Sequence, residues 1–482
     1  MLLVKNQKED MLSYLEDASN FREGNAEKVY IPENESELSE ILSECAEEKM
    51  PVTVSGGGTG TVGGRVPRQG AIVSLERFSG IVDTDKDARK ASLQAGVLIQ
   101  DFLKELEPLN LFYPPFPTER TAFIGGNAAT NASGEYSFRF GPTRKYVQRI
   151  RMVLTTGEIL DVKRGEVFEE KGLIDYGKIR VPLPSYRTPC IKCSAGYYSR
   201  EKMDGIDLFI GSEGTLGVIT EVDVSLIEAL PPRFIIIIFF PDEEKIPGIT
   251  KAVKTEFKEL YSLEFFERGS LEFLKKDYPE IPGNTCALYI ETASGTGEME
   301  KWAEFAEKNG AVDTLLGDDA KNYERLIDFR HRLPENINAY FKKLGIVKVA
   351  LDMAIPEENF GEMYSFYRKI MKEDPIHTIL FGHIGENHLH FNLFPRDEKE
   401  KARAWEIYAG CAGKALSLGG TVAAEHGIGK IKHKWLGLMY GQEGLREMAR
   451  IKELFDPFAI LGLDNIFPKE LLEGKFPQKR QA

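Results

Sequence analysis

The sequence predicts an α+β protein in two parts, and three features of the chain predict it. A glycine-rich loop, Pro51 to Gly64, lies between two β-rich runs early in the chain. The character changes at Pro231-Pro232, beyond which charged helical stretches alternate with apolar strands. All seven histidines fall after residue 330, so chemistry that needs an imidazole must come from the second part.

A length of 482 residues exceeds what one simple core organises, in keeping with two domains. The formal charge of −13, without a basic stripe to offset it, argues against a nucleic-acid surface. Met1 to Val4 is followed at once by Lys5, Gln7, Lys8, Glu9 and Asp10, which is no secretory leader pattern. The longest purely apolar run, Phe234 to Phe240, is seven residues. That is far short of the ~20 a spanning helix needs, so it reads as a buried strand and no transmembrane segment is expected. Five cysteines are too few and too scattered for a disulfide framework, which points to a reducing, cytoplasmic compartment. Cys190-Ile-Lys-Cys193 lacks two further ligands nearby; it reads as structural, with redox sensing as the alternative.

In chain order, residues 7–20 read as an amphipathic helix and Lys28 to Ile31 as a strand. Asn34 with Glu37 three residues on is a capping box opening a helix to about Lys49, with Leu38, Ile41, Leu42 and Cys45 on one face. Val52 to Val54 then feed the glycine loop, where six of nine residues are Gly56, Gly57, Gly58, Gly60, Gly63 and Gly64. Glycine loses the most backbone freedom on folding, so such density needs a reason. Close backbone approach to an anion supplies one: successive N–H groups curl into a nest, Ser55, Thr59 and Thr61 add hydroxyls, and a pyrophosphate is the fitting guest. A mobile linker fits less well between tight hydrophobic flanks. There is no G-x-x-x-x-G-K-[ST], and no G-x-G-x-x-G opening a helix; the extended run A-I-V-S-L follows instead.

Ala91 to Leu111 reads as a strand and a helix. In the stretch from Tyr113 to Gly141, Pro114, Pro115 and Pro117 hold the backbone extended. The run Gly125, Gly126, Asn127, Ala128, Ala129, Thr130, Asn131, Ala132, Ser133, Gly134 reads as a flat wall against something large and planar. Asn127, Thr130 and Asn131 would meet its polar edge. Tight helix packing is the alternative, and it accounts for the alanines but not for the asparagines or Gly134. Leu154 to Leu160 reads as a hairpin. Asp207 to Glu221 is a second ligand-facing loop, turning at Gly211, Gly214 and Gly217 before an alternating strand.

Past a boundary near residue 230, helices Glu243 to Leu260 and Met299 to Lys308 alternate with strands Phe234 to Phe240, Cys286 to Glu291 and Val347 to Met353. The chemical core of this part is F-G-H-I-G-E-N-H-L-H-F-N-L-F, Phe381 to Phe394. From Glu386 it alternates as a strand, with Glu386, His388, His390 and Asn392 on one face. His383 precedes it in a glycine-flanked turn, able to fold back toward His390. Further on stands A-A-E-H-G-I-G-K, with Glu425 and His426. Two imidazoles and a carboxylate are an ordinary divalent-metal set with open positions, although any one of these histidines alone reads as structural.

Together these motifs resemble the flavoprotein family of vanillyl-alcohol oxidase and p-cresol methylhydroxylase, nearest its branch of FAD-linked D-2-hydroxyacid dehydrogenases. The resemblance covers nearly the whole chain in matching order. It implies a two-subdomain FAD-binding module of the p-cresol methylhydroxylase type, residues 1–229, and an α+β cap domain with an antiparallel sheet, residues 230–435. Residues 436–482 would return to the first domain. FAD, held without a covalent bond, would have its pyrophosphate on Ser55, Gly56, Gly57, Gly58, Thr59 and Gly60. Pro117, Thr118, Gly125, Gly126, Asn127, Thr130, Ser133 and Gly134 would line its ring and ribityl chain, and Glu213, Gly214 and Ile219 would complete the pocket.

The resemblance further implies a divalent metal (zinc, iron or manganese) on His383, His390 and Glu425, with Asn392 near the substrate. His426 would be the general base and Arg330 the clamp on the substrate carboxylate. Electrons would pass to an electron-transferring flavoprotein, a quinone or an iron–sulfur partner. The protein would be cytoplasmic, free or peripheral to the membrane, as a homodimer or in a hetero-complex. Two departures stand out. The family's G-H-x-G-D-G-N-x-H carries Glu386, Asn387 and His388 in its middle, and L-G-L-D-N-I-F, Leu461 to Phe467, replaces the usual asparagine–proline–glycine–lysine. Two rival readings are a non-redox enzyme like alkylglycerone-phosphate synthase and an FAD-bearing electron-relay subunit.

Overall fold

The computed structural model describes residues 2–472 apart from Asn20 and Arg22, and they fall into two compact units. Unit 1 comprises Met1–Glu135, Phe140–Ala229 and Glu425–Ala482; unit 2 comprises Tyr136–Arg139 and Leu230–Ala424.

Unit 1 contains two principal sheets. The first runs in the order Leu3–Lys5, Lys28–Ile31, Ala71–Ser74, Val52–Ser55, with the last three strands parallel. A parallel pair needs a crossover, and the helix Glu35–Glu47 supplies it between Lys28–Ile31 and Val52–Ser55. Asn34 caps that helix by accepting from the Glu37 N–H at 3.0 Å, and the Glu37 carboxylate reaches back to the Glu33 N–H at 2.9 Å. Leu38, Ile41, Leu42 and Cys45 are buried on one face, as their spacing requires.

The second sheet is antiparallel, ordered Ile81–Asp85, Lys90–Gln94, Val218–Ser225, Val147–Val153, Ile159–Lys163. Val218–Ser225 alternates, burying Val222 and Val224 and turning Glu221 and Asp223 outward to Arg149 of the neighbouring strand. The hairpin between Val153 and Ile159 turns at Gly157, φ +79°.

Two expectations in unit 1 need correction. The leading helix is one turn, Lys8–Met11, followed by a 3-10 turn to Tyr14. The Ser13 and Glu16 carbonyls that a longer helix would use accept from the Arg65 guanidinium instead. Asn20, the far end of the predicted helix, lies outside the described residues. The small-residue run is in part a helix, Ile124–Thr130, closed by Asn131 in the left-handed conformation. Small residues are required there, since a Cβ on Gly125 would lie 2.5 Å from that of Ala95.

Unit 2 is built on an antiparallel sheet. It runs Asp313–Gly317, Arg233–Phe240, Cys286–Ala293, Leu260–Phe266, His377–Gly382, His388–Phe394, Val349–Ala350, with Met353–Ala354 also on His388–Phe394. The long helix Ala320–Lys343, capped by Asp319, lays Leu326, Phe329, Leu333, Ile337 and Phe341 on one face of this sheet. Tyr289, Phe266, Ile379 and Phe394 meet them there. The predicted helix to Leu260 stops at Glu256, because Leu260 opens a strand. Val347 to Met353 is two short strands broken around Asp352. The strand expected from Glu386 begins at His388, after a 3-10 turn Ile384–Glu386 and Asn387 at φ +55°. Glu386 consequently leaves the histidine face and accepts from the Ser137 hydroxyl.

Candidate functional site

In unit 1 the predicted cofactor residues cluster. The glycine loop leaves the end of a parallel strand at buried Ser55, and Gly58 turns it with φ +78°. A Cβ on Gly57 would stand 2.7 Å from the Thr121 carbonyl, so this loop lies against the segment that opens the helix Ile124–Thr130. Arg65 Nη1 donates to the Gly56 carbonyl at 2.8 Å and holds the loop from behind. At Gly60 and Gly126, by contrast, an added Cβ would meet nothing within 4 Å. Gly214 lies over the same strand, its would-be Cβ 3.5 Å from that of Val54. Pro117 is buried, Thr118 is exposed, and Ile219 is a buried strand residue opposite Met152.

Two polar atoms are buried there without a hydrogen-bond partner among the described residues, Asn127 Nδ2 and Ser133 Oγ. Leaving such atoms unsatisfied costs about 1–3 kcal/mol each, so a ligand with polar edges is the natural partner. An FAD fits this donor set and the glycine-bared surfaces beside it. Thr130 is different: its hydroxyl donates to the Gly126 carbonyl at 2.9 Å inside the helix. Gly134 is a packing residue, since a Cβ would fall 1.8 Å from the Pro115 carbonyl.

Glu213 proves to be a clamp. Its two oxygens accept the Ile428 and Gly429 N–H groups at 2.8 and 2.7 Å, tying the G-S-E-G loop to E-H-G-I-G. Burial pushes its pKa up to about 7 against the pull of those amides. Gly429 in turn lies against the glycine loop, where a Cβ would sit 2.1 Å from the Val62 carbonyl. Lys430 reaches Gly64 O at 3.0 Å and Asn465 Oδ1 at 2.6 Å. The Asn465 amide itself donates to Gly64 O and Glu213 O, both at 2.9 Å. The divergent L-G-L-D-N-I-F segment thus cross-links three glycine motifs.

Glu425 and His426 open the last segment of unit 1. The Glu425 carboxylate is held by Lys192 Nζ at 2.6 Å, both side chains being largely buried, and His426 Nε2 stands 3.6 Å from its other oxygen. Lys192 sits between the two cysteines of the C-x-x-C, and no motif in the sequence announces its role.

In unit 2, Arg330 stands within the helix stripe that faces the sheet, and its guanidinium donates to Glu264 Oε1 at 2.7 Å. The same carboxylate holds His383 Nδ1 at 3.0 Å. His383, His388 and His390 lie with ring centroids 4.7–5.4 Å apart. His388 is fully buried, with Nε2 3.1 Å from Asp352 Oδ1. A carboxylate on one ring nitrogen is how metal-binding imidazoles are commonly oriented, so this donor set fits a divalent cation. Asn392 is buried further along the same strand. Glu264 and Asp352 were invisible in the sequence because both lie in apolar strand-rich stretches without a motif.

Comparison with known proteins gives the family. Residues 26–163 match the FAD binding domain model, and residues 232–463 match the model of FAD linked oxidases, C-terminal domain. A D-lactate dehydrogenase of Anaerostipes hadrus is 32% identical over 444 residues, covering 88% of this chain and 86% of that protein. The glycolate oxidase subunit GlcD of Bacillus subtilis is 28% identical, covering 95% and 93%. A D-lactate dehydrogenase of Archaeoglobus fulgidus is 30% identical, covering 92% and 91%. Among solved structures, 4-ethylphenol oxidase from Gulosibacter chungangensis superposes with a TM-score of 0.69 at 15% identity, covering 97% and 95%. An alkyldihydroxyacetonephosphate synthase does so at 0.64 and 15%, covering 94% and 82%. At such identities these structures share the fold alone, α+β with the p-cresol methylhydroxylase type of FAD module.

Fold and cofactor cradle define a flavoprotein oxidoreductase. The chain belongs to the family of FAD-linked oxidases. No described helix is long and apolar enough to cross a membrane.

Proposed function

We propose that the chain oxidises a D-2-hydroxy acid of the lactate, glycolate or 2-hydroxyglutarate class to the 2-oxo acid. The observation that carries this reading is the similarity along nearly the full chain to proteins named D-lactate dehydrogenase and glycolate oxidase subunit, together with a D-2-hydroxyglutarate dehydrogenase of Xanthomonas citri at 25% identity. The arrangement in unit 2 supports it with a buried guanidinium and carboxylate-held imidazoles.

Arg330, fixed by Glu264, binds the substrate carboxylate through a charge-assisted pair. His426 takes the hydroxyl proton on a ring nitrogen, a role worth typically ~10²–10⁴ in rate. Asn392 hydrogen-bonds the substrate. Bound FAD supplies the acceptor for the C2 hydride. His383, His390 and Glu425 are the residues that would hold a divalent cation, which would lower the pKa of the hydroxyl. The electron acceptor would be an electron-transferring flavoprotein, a quinone or an iron–sulfur protein, with the chain cytoplasmic and working as a homodimer or within a hetero-complex.

The test is anaerobic mixing of purified protein with D-lactate, L-lactate, glycolate and D-2-hydroxyglutarate, alongside metal analysis. Bleaching of the flavin by one or more of the three acids other than L-lactate is expected. Failure of all three, with FAD and metal bound, would overturn the reading.

A further inference from the structure

The proposed metal reading takes His383 and His390 from unit 2, yet the chain carries a third imidazole between them. We infer that His388 is itself a ligand of that divalent cation, beside His383. This rests on the proposed function only in assuming that a cation binds in unit 2.

The hairpin geometry brings the two rings together. The strand His377–Gly382 ends one residue before His383, and the strand His388–Phe394 begins at His388. Between them the 3-10 turn and left-handed Asn387 close the loop, with the His388 N–H donating to the His383 carbonyl at 3.2 Å. The two side chains therefore leave one closed turn, and they offer donor nitrogens within 4.8 Å of each other. Two imidazole nitrogens at about 2.0–2.1 Å from one cation stand no more than about 4.2 Å apart, a spacing that falls inside that bound.

The surroundings orient both rings alike. Glu264 is hydrogen-bonded to Nδ1 of His383 at 3.0 Å, and Asp352 Oδ1 stands 3.1 Å from Nε2 of His388. A proton on the nitrogen that faces the carboxylate leaves the lone pair on the opposite one, Nε2 in His383 and Nδ1 in His388. The Asp352 side chain is placed by backbone on both sides. Its carbonyl accepts from the Ala424 N–H at 2.9 Å, and two residues on Ala354 pairs with His388 across the sheet. Two buried carboxylates set against the two histidines, with Glu264 holding Arg330 as well, are costly as mere core pegs. They make sense as holders of metal ligands. The glutamate–asparagine–histidine that fills the motif's middle is then a change of donor set in which a ligand has been added.

The experiment uses the FAD-loaded full chain stripped of metal and titrated with zinc against a chelating dye. X-ray absorption of the one-zinc complex counts the imidazoles. The expected result is at least about tenfold weaker zinc binding in His388→Asn, with one imidazole fewer than in the unsubstituted protein. Equal affinity and an equal count in the two proteins would overturn the inference while leaving the metal reading intact. No zinc binding by the unsubstituted protein would overturn both. Should His388→Asn not fold, His388→Gln takes its place in both measurements: one imidazole fewer than in the unsubstituted complex supports a role for His388, and an equal count excludes it.

Discussion

Arg330 and His383 share a single carboxylate, with Glu264 Oε1 2.7 Å from Arg330 Nη2 and 3.0 Å from His383 Nδ1. One strand residue thus sets the position of the proposed substrate clamp and of a proposed metal ligand. Glu264→Gln keeps the shape and removes the charge, leaving the Arg330 cation 9% exposed in the packed face of the helix. Breaking a buried pair from one side costs about 3–5 kcal/mol. Denaturant unfolding should show a loss of that order, and Arg330→Met added to Glu264→Gln should recover part of it. A neutral single substitution would mean that water already reaches the pair.

Lys192 and Glu425 form the corresponding pair in unit 1, 2.6 Å apart with side chains 3% and 11% exposed. Their coupling should appear in a double-mutant cycle of Lys192→Met and Glu425→Gln as about 1–3 kcal/mol of stability. If Lys192 also fixes the carboxylate for catalysis, Lys192→Met should lower kcat with D-lactate more than it raises KM. Additive single effects on stability would show that the pair is not a unit.

What the sequence revealed and what it hid follow from how local each signal is. Asn34 and Glu37 are three residues apart and cap one helix, so their meaning needs nothing from the rest of the chain. The strand at Phe234 and the hairpin at Gly157 are equally local. The helix Ile124–Thr130 was hidden by Gly125 and Gly126, which each disfavour a helix by about 1 kcal/mol. Packing against Ala95 overrides that preference, and packing is not written at the site itself. The partners of the candidate site were hidden for the same reason. Glu264 is 66 positions from Arg330 and 119 from His383, and it comes from a strand that otherwise reads as ordinary core. Glu213 was legible as a residue of the ligand-facing loop, but its use as a clamp on Ile428 and Gly429 depends on a contact 215 residues away.

Glu213 gives unit 1 a pH dependence of known sign. Burial raises its folded pKa from 4.5 to about 7. Between those values the folded state holds more protons than the unfolded one, so stability falls as pH rises through the window and levels off above about 7. The full swing is on the order of 3 kcal/mol. Glu267 in unit 2 is raised to about 7 for the same reason, so the slope of the unsubstituted protein mixes both groups. The difference curve isolates Glu213: Glu213→Gln, unfolded in denaturant at a series of pH values from about 5 to 8, should be the less pH-dependent of the two proteins. It should also lose about 1 kcal/mol of loop anchoring, because an amide has one acceptor oxygen for two N–H donors. Parallel curves would show that Glu213 remains ionised throughout.

Three glycines separate the fold from the cofactor. Gly429 combines φ +50° with a would-be Cβ 2.1 Å from the Val62 carbonyl, so Gly429→Ala should cost several kcal/mol and dislodge the loop behind His426. Gly60 and Gly126 have open space where a Cβ would go. Gly60→Ala should therefore leave the stability of the FAD-free protein within ~0.5 kcal/mol. Gly126→Ala, inside a helix, should raise it by up to about 1 kcal/mol. If those two surfaces are where the pyrophosphate and ring of FAD come closest, both substitutions should weaken FAD binding by about tenfold or more, a loss of some 1.4 kcal/mol. A variant that folds better and holds its cofactor worse is a result that general damage does not produce. Unchanged FAD affinity in both would place the cofactor elsewhere in unit 1.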